Sequence, residues 1–229
     1  MCDVFKHISL FIVLISVSFG FAQNDSTDHK YLEDQIYLGI FYNTLNDVPN
    51  ELNQNKFSSS FSIGFIRDLP LNENRNFGLG IGLGLSRSSY NNNLILSRVN
   101  TDLNINFNSD LDSFKKNKWI INELEMPLEI RWRTSTPTNY RFWRVYFGLK
   151  TSFILSSKYK FESDLTKLSL SNLPFNEFQY GFTLNAGNNT WNLGLFLGLN
   201  PLFDDQFVKK YEGIKNIKQF KIGLVFYIL

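Results

Sequence analysis

Alternation between large apolar and very small residues is the property that most restricts this sequence. In residues 77–89, Phe77, Leu79, Ile81, Leu83 and Leu85 hold one phase, and Gly78, Gly80, Gly82, Gly84 and Ser86 hold the other. A period of two sorts residues onto the two faces of a β-strand. One face is then wholly apolar and the other wholly small, so the strand must set one side against apolar surroundings. A Gly-x-Gly series can also cradle phosphate, but such loops turn into a helix, and no helical pattern follows here. The glycines are expected to ease curvature or to make room for bulky neighbours.

The same period recurs in residues 35–43, 57–67, 122–133, 143–158, 177–187, 190–200 and 218–229, which makes eight strands. Their connections alternate in length. Residues 44–56, 90–118, 159–176 and 201–217 form long connections, while 68–76, 134–142 and 188–189 form short ones. Alternating short turns and long loops is the habit of outer-membrane barrels, with the turns on the periplasmic side. The expected fold is all-β: an eight-stranded antiparallel up-and-down transmembrane β-barrel over residues 35–229.

The chain start reads differently. Lys6 and His7 precede an apolar run from Ile8 to Phe21, and Gly20 and Ala22 supply the small residues of a cleavage site. Residues 1–22 are expected to be a cleaved signal peptide and 23–34 a short polar periplasmic tail. The run is shorter than a spanning helix needs. Cleavage removes Cys2, the only cysteine, so no thiol chemistry is expected in the mature protein.

Two kinds of eight-stranded barrel fit so far. A water-soluble lipocalin-like ligand binder turns its polar face outward. Here the polar face is mostly Gly, Ser, Asn and Thr, which suits a crowded lumen better than a solvated exterior. Phe77, Trp132, Trp143 and Trp191 fall in the apolar phase at the short-turn ends of strands, with Phe57, Phe178 and Tyr180 at the opposite ends. Two such aromatic girdles match the two membrane interfaces. Strand 122–133 fixes its own phase, because a Lys or Arg facing lipid at the midplane costs ~2–4 kcal/mol. Glu123, Glu125, Glu129, Arg131, Arg133, Arg144, Lys150 and Lys158 are therefore expected in the lumen, with Lys150 near Glu125 or Glu129. Pro127 should remove one hydrogen bond from its strand without shifting the phase.

These lumen charges read as a salt-bridge network filling a narrow barrel, with no continuous channel expected. No catalytic residues, cofactor or metal are expected. The barrel strands contain no histidine to activate a nucleophile. The series Asn104, Asn106, Asn108, Asp110, Asp112 lacks the Gly and Glu of a calcium loop. A net charge of +2 gives no footprint for nucleic acid. Arg98, Lys115, Lys116, Lys118, Lys209, Lys210, Lys215 and Lys218 make the long loops basic, which could pair with lipopolysaccharide phosphates.

The stretch ELEMPLEIRWRTSTPTNYRFW at Glu123–Trp143 resembles the PorT-like, porin-family outer-membrane β-barrel proteins. The segments FQYG at Phe178–Gly181, NTWN at Asn189–Asn192 and GLVFYIL at Gly223–Leu229 are similar to that family too. The resemblance implies a barrel in the cell outer membrane, in some members associated with protein export, and it carries no catalytic residues. The expected protein is non-enzymatic, either structural or accessory to protein export or surface assembly. Its expected partners are outer-membrane lipid, lipopolysaccharide and secretion machinery. A small passive pore is the alternative.

Overall fold

The computed structural model describes residues 34–54, 56–99, 102–108, 114–134 and 143–228. The expected signal peptide, the tail up to residue 33, turn residues 135–142, Asp110, Asp112 and Leu229 lie outside the described residues.

Among the described residues there are eleven strands: β1 (Gln35–Asn46), β2 (Ser59–Pro70), β3 (Phe77–Asn91), β4 (Leu94–Val99), β5 (Asp102–Phe107), β6 (Lys116–Arg133), β7 (Trp143–Glu162), β8 (Lys167–Ser171), β9 (Phe178–Asn188), β10 (Trp191–Gly198) and β11 (Lys218–Ile228). Eight of them close an antiparallel barrel in the order β1-β2-β3-β6-β7-β9-β10-β11. The seam is β1 against β11, from Ile36↔Ile228 to Asn46↔Lys218. Every neighbour around the ring is antiparallel, so the topology is up-and-down. No helix among the described residues is long and apolar enough to cross a membrane.

The outward phase is apolar on every barrel strand. Ile40, Phe65, Leu83, Ile130, Phe147, Leu193 and Leu224 are all exposed. A water-soluble barrel would bury these side chains and expose the polar phase, so the lipocalin-like alternative fails on the direction its strands face. From Trp143 to Phe153, the eleven residues of β7 rise ~25 Å along the barrel axis over ten steps of ~3.3 Å at ~40° tilt, the height of a lipid-facing band.

Glycines open space for the inward phase. A Cβ on Gly80 would lie 2.9 Å from the Arg131 side chain, and one on Gly82 2.9 Å from Pro127. One on Gly84 would meet the Tyr37 hydroxyl. No described glycine has a positive φ, so these residues supply room, not turns. The tight turn falls to Asn189 and Thr190, between β9 and β10, with Asn189 at φ 56°. That is one residue later than the expected 188–189.

The register behaves at Pro127 and slips elsewhere. Ile81↔Leu128 and Gly84↔Glu125 keep one register across it on the β3 side. On the β7 side Asn122 pairs with Ser156 while Glu123 pairs with Ile154, leaving Leu155 as an extra residue. This β-bulge inverts the phase of β7. Ser157 and Tyr159 become the buried residues and Lys158 turns outward. The expectation that Lys158 faces the lumen is therefore wrong, because a strict count of two cannot anticipate an inserted residue.

Above the belt the long connections fold. β6 and β7 continue upward as a ribbon, β8 pairs with the top of β7, and β4 with β5 forms a hairpin. A short helix, α1 (Asp205–Val208), is capped by the Asp204 carboxylate accepting from Gln206 N. Together they enclose an apolar cluster centred on Trp119, which is fully buried. The indole meets Phe175 and Phe203 edge-on, with centroids 5.9 and 5.4 Å away.

Candidate functional site

The inward phase brings buried charges together in two groups along the barrel axis. Asp68 anchors the group nearest the short turns. Its Oδ2 accepts from Arg133 Nη2 at 2.6 Å and its Oδ1 from Arg131 Nη1 at 3.3 Å. Arg131 also donates to Glu129 Oε2 at 3.2 Å and to Gln35 Oε1 at 2.7 Å. Its guanidinium lies 4.2 Å from the centroid of the Tyr146 ring. Tyr146 and Tyr227 pack edge to face with centroids 5.4 Å apart, and Arg144 lies 5.9 and 5.6 Å from their rings. Glu129 Oε1 accepts from Asn185 at 3.2 Å and from Tyr227 at 3.4 Å.

The second group lies one to two turns of pleat higher. Lys150 donates to Glu125 Oε1 at 2.8 Å, so of the two carboxylates expected near it the structure selects Glu125. Tyr37 donates to the other oxygen of Glu125 at 3.4 Å. Glu123 accepts from Ser152 at 3.1 Å, and from Ser86 and Lys221 at 3.3 Å each. Lys150 and Lys221 flank the Phe196 ring, with their ammonium groups 4.6 and 5.5 Å from its centroid.

Seven of the eight charges expected in the lumen sit on the inward face, Lys158 being the exception, and six of the seven are almost fully buried, with the Lys150 side chain at 11%. Two charges escaped the sequence reading. Asp68 was placed in a short turn because the apolar phase fades after Phe65, yet β2 continues to Pro70. Lys221 shares the phase opposite Phe220, Ile222 and Leu224, a signal that was available. Every oxygen of the four carboxylates has a donor, so the charges are neutralised inside the wall and not presented to a substrate. The space left between the two groups is a cavity of about 40 Å³, lined by Glu125, Glu129, Lys150, Thr183, Phe196 and Tyr37 among others. It holds a few waters at most. Among the described residues no group of three His, Cys, Asp or Glu side chains converges on a metal position.

The aromatic residues divide by end. Phe77, Trp132, Trp143 and Trp191 are exposed at the short-turn end, and Phe77 pairs across the ladder with Trp132. Trp191 packs on Phe226 with centroids 4.7 Å apart. At the long-loop end Phe57 is 73% exposed and lies 5.4 Å from the Tyr42 ring. Phe178 packs on Phe153 at 5.1 Å, and on Tyr180 at 6.0 Å. The fourth tryptophan, Trp119, belongs to the cap and not to a girdle.

Outside the belt, Lys116 and Lys167 both pair with Glu162, at 2.6 and 3.0 Å. Their hydrogen bonds hold the Glu162 carboxyl down at about 2. Burial pushes the Tyr159 phenol up.

A family model described as "Outer membrane protein beta-barrel domain" matches residues 21–204. No curated protein matches the sequence. Among solved structures, the chain is similar to Ail, the attachment invasion locus protein of Yersinia pestis, in complex with the heparin analogue sucrose octasulfate. That match is 12% identical and covers 86% of this chain and 99% of the other, with a TM-score of 0.38. A second crystal structure of Ail is 10% identical, with coverage of 85% and 97% and a TM-score of 0.36.

Proposed function

Because the chain belongs to the outer membrane protein β-barrel domain family, we propose that it works as a closed, non-enzymatic barrel whose activity resides in its folded loops. It is read as exported through a cleaved signal peptide (1–22) and carrying a short periplasmic tail (23–34). Its long loops face outward, where lipid phosphates and a secretion or surface-assembly partner meet them. The resemblance of the 123–143 stretch to PorT-like proteins is what favours export or surface assembly over a purely structural role.

One observation carries the closed reading. Asp68, Glu123, Glu125, Glu129, Arg131, Arg133, Arg144 and Lys221 are nearly inaccessible, and the cavity between the two charge groups measures about 40 Å³. A hydrated solute needs far more, and opening a path would separate buried ion pairs at ~3–5 kcal/mol each. Planar-bilayer recording of the refolded protein tests this. The expected trace is flat at moderate voltage. Stable ohmic steps would sink the closed reading in favour of a small passive pore. Heat-modifiable migration of the outer-membrane fraction tests the location independently.

A further inference from the structure

We propose that the outward face of β3, β6 and β7, directly above the apolar belt, binds the phosphates of an outer-leaflet glycolipid of the lipid A type. Lys118 and Lys160 stand directly opposite each other in the β6–β7 ladder. Directly opposed residues have Cα atoms ~4.5–5.5 Å apart, and like charges in that position are destabilising. Lys158 is one outward position below Lys160 and pairs with Ile120. Arg87, on β3, pairs with Asn122 and donates to its side-chain oxygen at 3.1 Å. Among the described residues none of Lys118, Lys158 and Lys160 forms an ion pair, and the adjacent Glu162 is held by Lys116 and Lys167.

Four cations on adjoining strands, two of them in direct opposition and without a carboxylate, favour an anion from outside the chain. The bulge is what assembles them. Without the extra Leu155, Lys158 would keep the lumen phase. Beneath the cluster a groove of about 270 Å³ runs along the belt, lined by Phe61, Ile63, Leu85, Leu155, Arg87 and Asn122. The apolar part takes an acyl chain, and Arg87 stands where the headgroup of that lipid begins. Chain below and phosphate above describe one amphiphile, which favours a lipid over a soluble phosphate.

This site rests on the outer-membrane reading with the long loops outward, so the test separates the two. The protein and its R87Q/K118Q/K158Q/K160Q variant are refolded into nanodiscs of neutral lipid, and heat-modifiable migration is recorded for both. Binding of diphosphorylated lipid A, dephosphorylated lipid A and inorganic pyrophosphate is then measured. Expected is binding of the diphosphorylated form, weakened on the order of a thousandfold in the variant, at about fivefold for each of the four charges removed near a lipid surface. A K209Q/K215Q control keeps the original affinity. Equal binding of lipid A by a properly folded variant would overturn the site alone. So would equal affinity for pyrophosphate, or for the dephosphorylated lipid. Failure of both proteins to fold into bilayers would overturn the outer-membrane reading itself.

Discussion

Asp68→Asn is the sharpest perturbation of the lumen. The carboxylate is fully buried and bridges Arg133 at 2.6 Å and Arg131 at 3.3 Å. A hydrogen bond to a charged group contributes ~1.5–3 kcal/mol, so the two together amount to ~3–6 kcal/mol. Breaking a buried ion pair costs ~3–5 kcal/mol by a separate route. The asparagine amide keeps one acceptor, sufficient for one guanidinium, but turns an NH2 donor toward the other. The expected loss is therefore ~3 kcal/mol, at the lower end of both ranges. Urea titration of protein folded into vesicles, followed by tryptophan fluorescence, reads it directly, since Trp132, Trp143 and Trp191 all face outward. Arg67→Gln removes the exposed pair with Asp34 and should cost no more than ~1 kcal/mol. If Asp68→Asn falls within ~1 kcal/mol of the parent, the buried network does not hold the barrel together.

Three further outcomes follow from other parts of the molecule. Gly84→Ala should destabilise by ~1–3 kcal/mol through its clash with Tyr37. Adding Tyr37→Phe should return part of that loss, and an equal cost in both backgrounds would refute the steric account. Trp119→Ala removes the centre of the cap at ~3–5 kcal/mol, and hydrogen exchange should accelerate in β8 and α1 while the belt strands stay protected. For Glu162 the folded carboxyl lies at about 2, below its ordinary value. Its pairs with Lys116 and Lys167 are thus intact at neutral pH and lost only as pH falls through about 2. A carbon-detected titration should place the midpoint there, and Lys116→Gln should raise it.

Much of the barrel was legible because lipid enforces a strict rule. Leu124, Met126, Leu128 and Ile130 can face hydrocarbon and Glu123, Glu125, Glu129 and Arg131 cannot, so one strand's phase follows from cost alone. The pairing of Lys150 with Glu125 then follows from the hairpin. What escaped depends on tertiary structure. Asp68 sits beyond the apolar run of β2 and is kept in the wall only by the guanidiniums waiting across the lumen. Leu155 looks like any apolar strand residue, and nothing local marks it as the inserted one. The cap was hidden because Phe175 comes from connection 159–176, Phe203 and Phe207 from 201–217, and Trp119 from the edge of 90–118, so no single stretch shows an apolar cluster.

The seam between β1 and β11 has a bearing on how the chain matures. The last strand must find the first across the whole length of the barrel domain, and until it does both β1 and β10 carry an unpaired edge. Lys221 arrives with that last strand, so Glu123 also waits for its cation. Closure is consequently a single late event. It seals two edges and gives a buried carboxylate its cation at once.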